Sequence, residues 1–397
     1  MIYLLLFVFL LNVYYFKKKN LFASSYIIHF FFLFIIFIGP AVYYELGYIS
    51  YSNSFEWQDV IVFEIYGTII FTISIFYSYI LAHTKKSILN KYFQNYRDRN
   101  QKLMFLYFLF WFILVGLYLL VYINQLPLVK FILTGNLPER FDQSDSVKLF
   151  YTFSSFFMIF IPSGYFFFIK HIKGNISKIL LLLIVVFILT SGGHKGLVTF
   201  FIIFALLFSG IKFNFKYILI GFFAISGMLV IYTISKGKEF NKETFMYLLE
   251  SPPRRFFVTQ GSGFITRISM KRRNLYKGDI YEYQVIKKET FQEIYPGYNE
   301  KGAAPTIFLG DLHVRYGFMF TIVSYIVFLI IIFPIIKGTD NMPDRRLYLW
   351  WNLFILFYLI GMAEISYSSS LRILLALFNF IAILTIPYLK LNTIEKS

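Results

Sequence analysis

An all-α, polytopic membrane helical bundle is the fold class this sequence predicts, and three observations predict it. Apolar residues make up 58% of the chain and charged ones only 15%, a balance foreign to soluble domains. The apolar residues gather in runs long enough to cross a bilayer. Between those runs, loops rich in Lys and Arg alternate with loops that are poor in them. In a soluble chain a formal charge of +17 would suggest nucleic acid. Here most of the excess sits in short loops, where it sets orientation, so nucleic acid is not an expected partner. The chain has no Cys, which excludes disulfides, thiolate chemistry and Cys-based metal sites.

A spanning helix needs roughly 20 apolar residues. Such runs fall at approximately 2–16, 26–44, 60–82, 103–123, 149–169, 178–190, 197–211, 217–234, 315–336, 347–363 and 371–389, about 11 spans by this count. The first run has no basic residue before it and no small-residue cleavage site after it, so it reads as a span and not as a signal peptide. The 52 Phe and 32 Tyr suit lipid-facing helices and point to no function by themselves.

Orientation follows from the basic residues. Lys17, Lys18 and Lys19 follow the first run. Lys85, Lys86, Lys91, Arg97, Arg99 and Lys102 lie two loops on, and Lys170, Lys173 and Lys178 two loops further. Lys212 and Lys216, then Lys337, Arg345 and Arg346, then Lys390 and Lys396 continue the series. The intervening short loops carry few cations and several carboxylates, among them Glu45, Glu56, Asp59, Asp142 and Glu364. Basic loops stay inside, which predicts the amino terminus out and the carboxyl terminus in. Three parts result: eight spans over 1–234, one large extracytoplasmic loop over 235–305, and three spans over 306–397.

The large loop holds 13 of the 38 Lys and Arg, an exported basic surface suited to an anionic ligand. Glu239 to Glu250 reads as a short amphipathic helix, stopped by Ser251-Pro252-Pro253. Arg254 and Arg255 follow, then a flexible Gly261-Ser262-Gly263, then Arg267 and Lys271-Arg272-Arg273. A second helix is expected from about Tyr281 to Tyr295. Interleaved aromatic and basic residues suggest helices lying on the membrane surface. Attraction to lipid headgroups and a pyrophosphate site both fit these cations, with Arg better suited to phosphate through its planar fork.

Gly310-Asp311-Leu312-His313-Val314-Arg315-Tyr316-Gly317 comes immediately before a long apolar run. On a helix Asp311 and Arg315 share a face and could pair. An acid, an imidazole and a guanidinium beside the basic loop also make an acid–base site. Ser191-Gly192-Gly193-His194-Lys195-Gly196 interrupts another apolar stretch. The arm before it has about 12 apolar residues, roughly 18 Å, so the turn should sit below the surface with His194 and Lys195 in a recess. Lys195 could snorkel to the headgroups or approach phosphate oxygens beside the glycines. Arg372, after a Ser-rich stretch, can pair with Glu364 or meet substrate. Glu64 reads as interfacial and His29 as incidental. The sequence shows no metal-binding cluster, phosphate-loop motif or serine-nucleophile motif, so neither metal nor cofactor is expected.

Two of these elements carry a resemblance. The Ser-Gly-Gly-His-Lys-Gly turn between spans resembles the Gly-Ser-Arg-Gly turn of bacterial O-antigen and capsule repeat-unit polymerases, the Wzy type. Leu309 to Gly317 is similar to the acidic and aromatic-glycine element with which they enter a late span, and the large preceding loop is similar too. The turn departs from the family in carrying Lys195, a point charge, where Arg is usual. The related O-antigen ligases usually place a His earlier in this element, where this chain has Ala303-Ala304-Pro305-Thr306.

The resemblance implies a glycosyltransferase of the bacterial inner membrane that extends a surface polysaccharide. Its substrates would be polyprenyl-pyrophosphate-linked oligosaccharides, with membrane lipids and a chain-length regulator as further partners. His194, Lys195, Arg254, Arg255, Arg267 and Arg372 are then assigned to pyrophosphate, Asp311 to the base with His313 as alternate, and Arg315 to orientation. A flippase, a ligase, a membrane O-acyltransferase and a structural membrane protein remain as alternatives.

Overall fold

A computed structural model describes residues 1–47, 56–84, 101–126, 145–191, 259–282, 285–296, 308–340, 347–361 and 367–386, with isolated positions among 129–205. The described residues form helices and no strand. In chain order these are α1 (Ile2–Lys18), α2 (Tyr26–Glu45), α3 (Trp57–His83), α4 (Gln101–Val121), α5 (Asp145–Phe168) and α6 (Asn175–Ser191). Then come α7 (Thr259–Arg272), α8 (Val285–Ile294), α9 (Phe308–Tyr316), α10 (Phe318–Asp340), α11 (Leu347–Gly361) and α12 (Tyr367–Thr385). Four of them, α2, α3, α4 and α10, are long and apolar enough to cross a membrane. The expected helix over 239–250 and the expected span over 217–234 lie outside the described residues, as does most of the span over 197–211.

The chain forms two compact units. One comprises Met1–Asn95, Ser251–Arg345 and Leu356–Ile373; the other comprises Tyr96–Glu250, Arg346–Ile355 and Leu374–Ser397. In the second unit Trp111 of α4 stacks on Phe160 of α5 with ring centroids 3.7 Å apart. Its polar interior is closed on itself. Asn379 donates to Asn352 Oδ1 at 2.6 Å and to Ser163 Oγ at 3.2 Å, while Tyr107 donates to Asn379 Oδ1 at 2.9 Å. Side-chain amides in an apolar helix bundle need such partners, because no water is at hand to replace them.

The first unit is built on α1, α2, α3 and α10, with α7 and α9 packed among them. Gly67 lets α3 close on α1 and α2, since a Cβ there would lie 2.8 Å from Leu5 Cδ1 and 3.0 Å from Phe37 Cδ1. The middle of α2 is π-helical over Phe34–Ile38, followed by Gly39 and Pro40. Pro40 has no N–H to give the Ile36 carbonyl four residues earlier, and a local change of helical pitch is a common response. Glu64 on α3 is 2% exposed, with a carboxylate oxygen 3.9 Å from the Met1 amino group. It is enclosed by the protein near the start of α3.

The largest departure from expectation is α7. Its sequence is polar, yet every residue from Gly261 to Met270 is buried. Gly261-Ser262-Gly263 is helical backbone in close contact with α2, not a flexible hinge, and α7 is not a surface-lying helix. Hydropathy misjudges it because its polar groups are paired inside the protein, and pairing removes most of the cost of burial. The second expected loop helix forms as α8, shorter than anticipated. Arg315 and Tyr316 were expected to open the following span, but the chain breaks at Gly317. That residue takes φ +83°, a conformation glycine adopts without strain, so α9 stands apart from α10.

Candidate functional site

The candidate site is the contact of α7 with α9, bordered by α3. Phe264 of α7 anchors it, with ring centroids 5.7 Å from Phe63, 5.2 Å from Tyr66 and 6.4 Å from His313. One turn on, Arg267 is fully buried and its Nε lies 3.1 Å from Asp311 Oδ1. Its Nη1 donates to the Gly263 carbonyl at 3.2 Å. Asp311 is 2% exposed, so this is an interior ion pair. The sequence places Arg267 among the pyrophosphate contacts, but here its guanidinium has no exposed surface and faces the candidate base.

His313 is also buried, and its Nδ1 is 2.7 Å from the Tyr66 hydroxyl. Burial, with a smaller contribution from the Lys271 charge, pushes its pKa down to about 4 from 6.5. The imidazole is therefore neutral at neutral pH. Its Nδ1 engages Tyr66. Between about pH 6.5 and 4 the unfolded chain binds a proton that the folded chain refuses, so stability falls as pH drops through that window. The loss is at most about 3 kcal/mol. Detergent-solubilised protein should show an unfolding midpoint that declines from pH 7 to 4, and His313→Gln should flatten the decline.

Arg315 does not pair with Asp311. Its Nε donates to the Ile280 carbonyl at 3.0 Å, tying α9 to the turn after α7. Lys271 Nζ donates to the Val314 carbonyl. At the end of α7, Arg272 holds Asp59 through Nε at 2.8 Å and Nη2 at 3.2 Å, and reaches Glu56 at 2.8 Å. These carboxylates raise the Arg272 pKa further. Glu56 and Asp59 in turn form a capping box at the start of α3, so one cation joins two helix ends. On α8, Glu289 accepts from the Lys277 and Gly278 backbone N–H groups, both at 2.8 Å. A cleft of about 320 Å³ opens here, lined by Lys271, Asn274, Tyr276, Gly278, Asp279, Ile280 and Val314.

No protein-family model, curated protein or solved structure matched this chain. The site is therefore read from its geometry. Of the residues picked from sequence, Arg267 and Asp311 come together, while His313 and Arg315 lie on the same short helix, His313 turned to Tyr66 and Arg315 to the Ile280 carbonyl. Arg372 is on α12 and half-buried; Glu364, its expected partner, lies outside the described residues. So do His194, Lys195, Arg254 and Arg255. Sequence reasoning picked out Lys271 among the loop cations but missed Tyr66, the pairing role of Asp59 and the other residues of the cleft. Tyr66 is one tyrosine among 32 in an apolar run, and no local pattern distinguishes it. Asp59 could have been suspected from its place three residues after Glu56, a capping spacing. Among the described residues no group of His, Asp and Glu could hold a metal ion.

Proposed function

We propose that this chain is a membrane glycosyltransferase of the repeat-unit polymerase type. In this reading about 11 spans cross the bacterial inner membrane, the amino terminus is out and the carboxyl terminus in, and residues 235–305 face away from the cytoplasm. The reaction joins a growing glycan to an incoming lipid-linked repeat unit. The bond from the anomeric carbon to phosphate breaks, its electron pair leaving with the polyprenyl pyrophosphate. A new bond forms to the acceptor hydroxyl, whose proton passes to the base.

The observation that supports it is the buried pair of Arg267 and Asp311, with His313 buried on the same helix as Asp311 and a polar cleft nearby that carries Lys271. Asp311 is the base in this reading, oriented by Arg267, and His313 is its alternate. Arg315 positions α9 against the turn that walls the cleft. In this reading the pyrophosphate falls to the cations His194, Lys195, Arg254, Arg255 and Arg372, and Lys271 lines the cleft. Such cations stabilise negative charge as it develops on the leaving group.

Deleting the chain in its host and resolving surface glycans by size tests the reading. Loss of a polymerase leaves single repeat units attached. Loss of a flippase leaves none, and loss of an acyltransferase leaves chain length unchanged. Returning the chain with Asp311→Asn, at wild-type protein level, is expected to reproduce the single-repeat pattern. Full-length glycan from that variant would refute Asp311 as the base.

A further inference from the structure

The cleft formed by the end of α7, the turn after it and α9 has walls held in place before any ligand arrives. Its turn is pinned from α8, where the Glu289 carboxylate takes the Lys277 and Gly278 N–H groups. The same turn is tied to α9. Arg315 Nε donates to the Ile280 carbonyl at 3.0 Å, and the Tyr281 hydroxyl donates to the Arg315 carbonyl at 3.3 Å. Tyr276, another lining residue, has its hydroxyl 3.2 Å from Thr290 Oγ1. The charges of Arg267 and Asp311 both act on that phenol, so Tyr276 links the cleft to the buried pair.

Three polar side chains on the cleft keep hydrogen-bonding capacity that no other described residue uses. Lys271 gives one ammonium proton to the Val314 carbonyl and has others to give. Asp279 accepts the Tyr281 N–H on Oδ1 at 2.9 Å, which leaves Oδ2. Asn274 takes a left-handed backbone at the end of α7, and its amide both donates and accepts. The charges of Lys271 and Asp279 offset each other. An anion in the cleft would meet the carboxylate, and a cation would meet the ammonium. A neutral ligand bearing several hydroxyls, each a donor and an acceptor, suits all three side chains. The volume of about 320 Å³ is at the low end of the roughly 300–1,000 Å³ of ligand sites, room for a sugar ring. Next to the cleft, Tyr281 and Tyr316 are 60% and 50% exposed, with ring centroids 6.0 Å apart. The electron-rich face of such a ring attracts the C–H face of a pyranose.

We propose that this cleft binds a neutral pyranose sugar through Lys271, Asn274 and Asp279, with the adjoining sugar of the glycan against Tyr281 and Tyr316. Lys271 and Asp279 together set specificity: they admit an uncharged ring and disfavour uronates and free pyrophosphate. The role of that sugar as the acceptor unit rests on the glycosyltransferase reading. Its binding does not.

The full chain, purified in a detergent without a sugar headgroup, is titrated with glucose, galactose, mannose and N-acetylglucosamine and read by saturation-transfer NMR. Glucuronate and inorganic pyrophosphate are the anionic competitors. At least one neutral sugar is expected to bind saturably and to stay bound against a tenfold excess of either anion. Asp279→Asn keeps an acceptor for the Tyr281 N–H but turns the free oxygen into a donor. Asn274→Gly removes the amide and keeps the left-handed backbone. Each is expected to weaken the sugar about tenfold, the scale of one hydrogen bond to a polar or charged group. Tyr14→Phe, at an exposed position on α1, should bind like wild type. Binding by none of these sugars overturns the proposal, as does wild-type affinity in both cleft variants or displacement by either anion. Single-repeat glycan on deletion, with no sugar bound, would sink the cleft alone. Sugar binding with unchanged glycan length on deletion would sink the glycosyltransferase reading alone.

Discussion

Arg267→Ala is expected to destabilise the first unit by about 3–5 kcal/mol, because it leaves the Asp311 carboxylate buried without its cation. The guanidinium has no exposed surface and the carboxylate 2%, so water does not fill the place of the lost partner. Part of the cost is packing, since the Arg stem fills space between α7 and α9. Thermal unfolding in detergent should show the midpoint falling well below that of wild type. The double variant Arg267→Met with Asp311→Leu should recover most of the loss, because two apolar side chains of similar size need no mutual pairing. A single variant as stable as wild type would show that the pair holds nothing together. The comparison also separates stability from chemistry: the double variant should fold yet leave glycan at single repeats if Asp311 is the base.

Gly261→Ala should cost about 3 kcal/mol, the upper part of the range for overpacking a filled interior. A Cβ on Gly261 would stand 2.2 Å from Pro40 Cγ and 2.3 Å from the Ile36 carbonyl oxygen. Neither can swing aside, one being a ring and the other backbone, so α7 must move off α2. The contact depends on two sequence features far apart. Pro40 withholds a donor from the Ile36 carbonyl, and Gly261 brings a bare Cα against that oxygen, a close approach weak C–H···O contacts favour. Gly116→Ala on α4 is the matched control, since nothing lies within 4 Å of its added Cβ. It should gain about 0.5–1 kcal/mol from helix propensity. Midpoints that move equally in the two variants would contradict the close packing of α7 on α2.

Much of the helical skeleton was legible in the chain. The runs over 26–44, 60–82 and 103–123 became α2, α3 and α4 with boundaries shifted by a few residues, because long apolar stretches bounded by charge have few other stable forms. The run over 315–336 became α10 with its start moved to Phe318 by the backbone turn at Gly317. The cluster was legible in part. Asp311 and His313 stood out as ionisable residues at the mouth of a span, and Arg267 as a cation in the segment before it. Their mutual geometry was not legible. The expected neighbour of Asp311 was Arg315, four residues on, whereas its partner lies 44 residues back.

By itself the sequence determined an apolar helical chain with polar interruptions, since transfer free energies of single residues sum along a run without reference to partners. Only the tertiary structure decided which interruptions go inside. The polar helix α7 is buried because Arg267 finds Asp311 and Gly261 finds the Ile36 carbonyl. The cost of burying a polar group is set by what it meets, and that meeting is a property of the folded chain.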